Sequence, residues 1–393
     1  MKKSAISIFL FVAMSFQINI LAQNNKTDQS GIIDVSSFFD SAHHWHDITD
    51  NNQAFLPNPD QKRYTPSLVK EIADNILLYQ QRNGGWPKNY DMLAILTEQQ
   101  KAILKEGRDS LQTSFDNGAT YSQVEYLAKA YLKIKDEKYK AACLRGINFI
   151  LSAQYPNGGF PQFYPDTSGY RKYITFNDDS MVGIMKVLQH IAQNEPYYFF
   201  VDNETRDKAK EAFDKGIDCI LNCQISDNGK LTVWCQQHDN VDFHPQDART
   251  FELASKCGGE SSGIVLLLMS IEHPNQTIIN SVKSAVKWFS ESAIRGVRVE
   301  RIKAPKVVFK YRTSTTDKII VNDPSAPPIW ARFYTLDGNK PLFTDRNSMP
   351  VDSLSQVGRE RRDGYSWYTY EPQEVLNEYP IWLKKIKESD QSE

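Results

Sequence analysis

GINFILSAQYPNGGFPQFYPD, residues 146–166, is an apolar run followed by a glutamine, an Asn-Gly-Gly turn and an aromatic tail. The apolar positions recur at i, i+3 and i+4, which predicts a helix, and Asn-Gly-Gly ends it. The same order returns twice, as IADNILLYQQRNGGWPKNYD at 72–91 and GIDCILNCQISDNGKLTVWCQQHD at 216–239. Gly146 precedes Gln154 by eight residues, Gly216 precedes Gln224 by eight, and Gln80 takes the same place in the first copy. AVKWFSESAIRGVRVE, 285–300, reads as a decayed fourth copy with Trp288 and Phe289 on its helix.

Gly84, Gly158 and Gly229 stand about 70 residues apart, longer than the roughly 34–47 residues of a helix-pair solenoid unit. ATYSQVEYLAKAYLKI (119–134), MVGIMKVLQHIAQ (181–193) and SSGIVLLLMSIE (261–272) lie between the copies and also carry helical spacing. Each unit therefore reads helix, glycine-rich turn, loop, helix. Helix pairs repeated in this way close into a ring, so the expected fold is all-α, an (α/α) barrel or toroid with a small β element. KVVFKYR (306–312) and DKIIVND (317–323) are the stretches that suit a ribbon. VNDPSAPPIWARFY (321–334) has too many prolines for a helix and is expected to line a surface cleft.

A hydrophobic content of 40% supports a sizeable core in 393 residues, and 12% aromatics suit a sugar cleft as well as a core. A net charge of −2 lacks the basic footprint of a nucleic-acid binder. An anionic substrate would have to meet cations concentrated locally. Lys2 and Lys3, an apolar stretch and the small residue Ala22 predict a signal peptide over 1–22. An N-terminal segment, 23–39, and one catalytic domain, 40–393, should follow. No later run reaches the ~20 apolar residues that span a bilayer, so an exported monomer without a membrane span is expected. Five cysteines leave at least one unpaired, and His238 and His244 beside them lack the spacing of a zinc site.

Two stretches place carboxylates and amides where helices begin. SFDNGATYSQ (114–123) offers Asp116 and Asn117, and ITFNDDSMVG (174–183) offers Asn177, Asp178 and Asp179. Such residues ordinarily cap helices by accepting from the free amides of the first turn. One cap needs one side chain, however, and here two or three are supplied. Calcium takes six to eight oxygens from carboxylates, amide carbonyls and water, so Asp116 and Asp178 on one rim, with Glu260 at the start of a third helix, also suit a hard-cation site. WCQQHDNVDFHPQDARTFELAS (234–255) gathers Trp234, His238, Asp239 and Arg249 in loop-like sequence. Glu252, three residues on, is the obvious ion-pair partner for Arg249.

TSFDNGATYSQVEYLA, YITFNDDSMVGIM, WCQQHD, ARTFELAS with GGES, and DPSAPPIWARFY together resemble the pectate lyases of polysaccharide lyase family 10, in order, from about Asp40 to the C-terminus. The resemblance implies an (α/α) barrel that cleaves polygalacturonate by β-elimination with calcium. It implies Asp116, Asn117 and Asp178 as calcium ligands and Arg249 as the base. Lys318, Arg332 and His238 become substrate contacts. An arginine base should have its pKa lowered by nearby positive charge.

Other readings stay open on sequence. Asp116 and Asp178 could be the acid and base of an exported (α/α) glycoside hydrolase, or the chain could bind pectin without cleaving it. The glutamine-glycine-aromatic turn also resembles the repeats of triterpene cyclases, but their acidic DxDD cluster is absent.

Overall fold

The computed structural model describes residues 31–48, 53–310 and 312–390. The signal-peptide reading of 1–22 therefore lies outside the described residues. The chain divides into two units, Met1–Ile32 and Ile33–Glu393, and everything below concerns the second.

Among the described residues eleven α-helices run through it: α1 (Phe39–Asp47), α2 (Val69–Tyr79), α3 (Glu98–Glu106), α4 (Tyr121–Ile134), α5 (Glu137–Ala153), α6 (Ser180–Ala192), α7 (Asn203–Cys223), α8 (Gly258–Met269), α9 (Gln276–Ser292), α10 (Arg359–Gly364) and α11 (Pro372–Asp390). α4, α6 and α8 pack side by side as an inner layer, and α2, α5, α7 and α9 as an outer one. α4 pairs with α5, α6 with α7 and α8 with α9, while α11 lies against both α8 and α9. This is the expected (α/α) toroid. The division follows from composition: α6 and α8 are apolar nearly all round and are covered on both sides, whereas α7 shows charge to solvent, with Lys208–Glu204, Lys210–Asp214 and Lys215–Glu211 pairs. Among the described residues no helix is long and apolar enough to cross a membrane.

The repeated motif has a mechanical meaning. Gln80 Nε2 donates to Gly84 O at 2.9 Å and to Ala142 O on α5 at 2.8 Å. Gln154 Nε2 does the same to Gly158 O (3.0 Å) and Ala212 O on α7 (2.7 Å). Gln224 Nε2 reaches Thr232 O (2.9 Å) and Ser281 O on α9 (3.1 Å). Each glutamine thus closes its own turn and fastens it to the next outer helix. Glycine is required at two of these turns, because a Cβ on Gly84 or Gly158 would meet the carbonyl of Arg145 or Lys215 at 2.4 or 2.0 Å.

The second residue after each helix also pairs with the one before the aromatic: Gln81 N to Gly85 O, Tyr155 N to Gly159 O, Ile225 N to Val233 O and Ile294 N to Ile329 O. The tryptophan that follows donates back into the helix, Trp86 Nε1 to Ile76 O, Trp234 Nε1 to Ile220 O and Trp330 Nε1 to Phe289 O, at 2.7–2.9 Å. Phe160 takes that place in the second copy. The fourth copy is therefore not decayed but interrupted, and its aromatic is Trp330. Between Ile294 and Ile329 it carries an antiparallel ribbon, Val297–Val308 against Thr313–Asn322. The ribbon was expected, but it starts earlier than KVVFKYR because GVRVE extends as strand.

Candidate active site

The two acidic stretches form the same turn twice. Asp116–Gly118 and Asn177–Asp179 are each a single 3-10 turn whose middle residue is left-handed, Asn117 at φ 52°, ψ 40° and Asp178 at φ 49°, ψ 42°. Asparagine and aspartate tolerate this region better than most residues. Thr120, a β-branched residue, is also held at φ 68°, its hydroxyl accepting from Trp86 N and donating to Ser114 O. Backbone strain of this kind, concentrated beside polar side chains, belongs to functional sites. Neither turn caps its helix through a side chain: the N-cap positions of α4 and α6 are Thr120 and Asp179, without side-chain cap bonds. The capping reading is thereby set aside for Asp116 and Asp178.

Asp116 is buried and its Oδ2 accepts from Lys88 Nζ at 2.5 Å. Burial works against its charge, but the Lys88 ammonium outweighs it and holds the carboxyl below its ordinary pKa. Its Oδ1 is buried with no donor at hydrogen-bond distance, although the nearby Gln162 side chain also helps to hold the pKa down. The Asn117 amide lies between Asn89 Oδ1 at 2.7 Å and Asp178 Oδ2 at 3.3 Å, and with the amide turned its nitrogen donates to Asp178. Asp178 opens onto a cavity of about 530 Å³. Its pKa is pushed up to about 7, first by burial, with Asp116, Asp40 and Glu260 adding to the rise and Arg332 opposing it.

Arg332 Nη2 donates to Glu260 Oε1 (2.6 Å), Asn177 Oδ1 (3.0 Å) and Asp178 Oδ1 (3.3 Å). Gln236 Nε2 joins Asn177 Oδ1 and Glu260 Oε1. Arg249 Nε donates to Glu252 Oε2 at 2.7 Å and Nη2 to Oε1, leaving Nη1 with no partner among the described residues. Burial alone would lower the pKa of Arg249, but Glu252 outweighs it and the net shift is upward. The lowered pKa expected from sequence is therefore not present in this arrangement.

Tyr365 ties these groups together. Its ring lies 4.8 Å from the Arg332 guanidinium and 5.9 Å from that of Arg249. Its hydroxyl donates to Glu252 Oε1 at 2.7 Å, and its carbonyl accepts from Lys318 Nζ at 2.9 Å. Burial, then the charge of Arg301, lowers Lys318 to about 8.

Asp116, Asn117, Asp178 and Arg332 thus come together, with Arg249 and Lys318 joined to them through Tyr365. His238 does not. Its ring is fully buried, Nε2 accepting from Cys235 N at 2.9 Å and Nδ1 bonded to Phe243 O at 2.8 Å. It holds its own loop in shape and has no surface for a sugar, which corrects its placement as a substrate contact. Lys88 and Gln236 were missed, although a signal existed. The position two beyond the aromatic in each unit is Lys88, Gln162, Gln236 and Arg332. Lys88, Gln236 and Arg332 bond the acidic turns or Glu260, and the Gln162 side chain bears on Asp116 as well. Tyr365 had no such signal.

The oxygen set fits a hard cation. Asp116 Oδ1 is buried with no donor at hydrogen-bond distance, Asn117 lies beside Asp178 and can offer an amide oxygen, and Asp178 supplies a second carboxylate. No three His, Cys, Asp or Glu side chains converge among the described residues; the grouping depends on Asn117 and leaves room for water or a substrate oxygen.

Fold and site together define the class, a helical-toroid polysaccharide lyase. The chain belongs to the pectic acid lyase family, whose model matches residues 80–376. Among solved structures it is similar to a family 10 polysaccharide lyase from Cellvibrio cellulosa, 33% identical with a TM-score of 0.69, covering 79% of this chain and 90% of that one. An aspartate-to-alanine mutant of the Cellvibrio enzyme in complex with trigalacturonic acid is 32% identical, with a TM-score of 0.69, covering 79% and 91%. No curated protein matches. The family closes the hydrolase and cyclase readings.

Proposed function

We propose that this lyase is an exported, calcium-dependent enzyme that splits α-1,4-linked polygalacturonate by β-elimination. The observation that carries this reading is the pair of like-built acidic turns holding Asp116 and Asp178, beside two guanidiniums that lie against one aromatic ring. Asp116, Asn117 and Asp178 would hold the cation. When bound, calcium would act as a Lewis acid toward a uronate carboxylate, making the neighbouring C5 proton easier to remove.

The chain's own groups divide the rest of the work. Arg332, fixed by Glu260 and backed by Tyr365, presents preorganised positive charge where the uronate gains negative charge. Lys318, its pKa lowered to about 8, adds a second cation from the ribbon below that pH and a neutral hydrogen-bonding amine above it. Arg249 is the group placed to take the C5 proton through Nη1, with Glu252 gripping its other two nitrogens and fixing its plane. Because Glu252 also favours the charged form, the neutral form grows only as the solution becomes alkaline, and activity should climb through alkaline pH.

Absorbance of the unsaturated uronide during incubation with polygalacturonate tests the reading. Activity should vanish in EDTA and return with calcium but not with equal magnesium, which demands a tighter octahedral shell. Full activity in EDTA removes the cation from the mechanism.

A further inference from the structure

Asp363, near the end of α10, is a buried carboxylate outside the site described above. Its Oδ2 accepts from Arg312 Nη2 at 2.8 Å and from Ser314 Oγ at 2.7 Å, and Thr316 Oγ1 lies 3.1 Å from both its oxygens. The Arg301 guanidinium stands 3.5 Å from Oδ1. All four partners belong to the ribbon or to the turn that joins its strands. Strand residues two apart share a face, so Ser314 and Thr316 stand on the same face as Lys318. Arg301 is the register partner of Lys318 across the ribbon.

The same carboxylate also bears on the other end of the Lys318 contact. Asp363 is two residues before Tyr365, whose carbonyl accepts from Lys318 Nζ at 2.9 Å. Donor and acceptor of that bond lie on separate segments, the ribbon and the chain leaving α10, and Asp363 fastens one to the other. The charge of Asp363 reaches Lys318 as well: burial and then Arg301 lower the lysine's pKa, Asp363 opposes them, and Arg312 adds a smaller lowering.

We propose that Asp363 is a positioning residue for Lys318. It locks the strand that carries the lysine to the segment that supplies its carbonyl partner, and so fixes where Lys318 meets a uronate carboxylate. The inference rests on the reading of Lys318 as a contact for an anionic substrate. The ordinary alternative is a buried acid that only docks the ribbon onto α10, its bonds serving to satisfy buried polar groups.

A double-mutant cycle separates the two. Asp363→Asn and the milder Thr316→Val are made in the wild-type chain and in Lys318→Met. Then kcat and KM on polygalacturonate with calcium are measured at pH 7, where Lys318 is charged. In the wild-type background KM should rise at least about threefold with kcat within about twofold, the scale of coupling inside one network. In Lys318→Met the same substitutions should change KM by less than about twofold, because the group being positioned is gone. Direct electrostatics would act in the opposite direction, since removing the Asp363 charge favours an anionic substrate. A wild-type KM in folded Asp363→Asn, or a rise that is equal with and without Lys318, overturns the proposal and leaves a docking contact visible only in Tm. If Asp363→Asn does not fold, Thr316→Val, which removes one partner and keeps the carboxylate, decides by the same criteria. Calorimetric titration of trigalacturonic acid reads the same cycle without turnover. A wild-type protein that binds it but releases no unsaturated uronide removes the proposed reaction and leaves this test standing, and one that does neither overturns both.

Discussion

The turns Asp116–Gly118 and Asn177–Asp179 have nearly the same backbone and opposite electrostatic conditions. Asp116 is buried against Lys88 and held ionised, its charge compensated within the protein. Asp178 faces the cavity with its pKa raised to about 7, its charge only partly answered by Arg332. One geometry thus serves two purposes. The first turn is a structural anchor that also offers an oxygen, and the second is kept short of positive charge.

Substitutions should separate the two. The largest effect is expected from Asp178→Ala, with a loss of turnover of about 10³-fold, the scale of several kcal/mol of Lewis-acid stabilisation. Its melting temperature in EDTA should be unchanged or higher, since a poorly compensated acid has gone. A clear drop in stability there would make the two turns alike.

Arg249→Lys carries the contrast to the guanidiniums. Arg332 is bound into the second turn, whereas Arg249 is held by Glu252, outside both turns. Lysine keeps the charge but not the planar fork, so kcat should fall by about 10²-fold or more if Arg249 is the base. A kcat within a few-fold of wild type together with a raised KM would reduce it to a substrate clamp.

Asp116→Asn strikes the anchor and removes the carboxylate charge that Lys88 is paired with. Urea unfolding in EDTA should show about 3 kcal/mol of lost stability, the scale of a broken buried pair. Loss of activity without loss of stability would contradict the anchoring role.

The smallest effect concerns Lys318, whose pKa is lowered to about 8 in the folded protein against an ordinary value of 10.5. Between those two values the unfolded chain binds more protons than the folded one, so stability rises with pH across that window. Compared with Lys318→Met, the wild-type Tm should therefore gain ground from pH 7.5 to 10. A constant difference would show that Lys318 is not desolvated in solution.

The ring itself was legible because its cause is repetitive. Gln80, Gln154 and Gln224 close equivalent turns, and equivalent turns put Asp116, Asn117, Asp178 and Arg332 on one rim. The fourth unit misled the reading because its helix end and its aromatic are separated by the ribbon, and no local spacing connects Ile294 with Ile329. His238 misled it for another reason. A histidine in a polar loop reads the same whether it faces a ligand or, as here, satisfies the amide and carbonyl of its own loop. Tyr365 was silent because it is a lone residue far along the chain from its partners, and only packing brings it in. The left-handed backbone of Asn117 and Asp178 was also invisible, since helix caps and single 3-10 turns use the same residue types.

Tyr365 touches Arg332 and Arg249 with its ring, Glu252 with its hydroxyl and Lys318 with its carbonyl. Any displacement of this one residue moves the supports of three cations in the same direction. Their placement errors are therefore correlated rather than independent. For a polymer whose carboxylates recur at fixed intervals, that favours keeping register. The charges can shift along the chain as a set, while the spacing between them, which the polymer must match, is preserved.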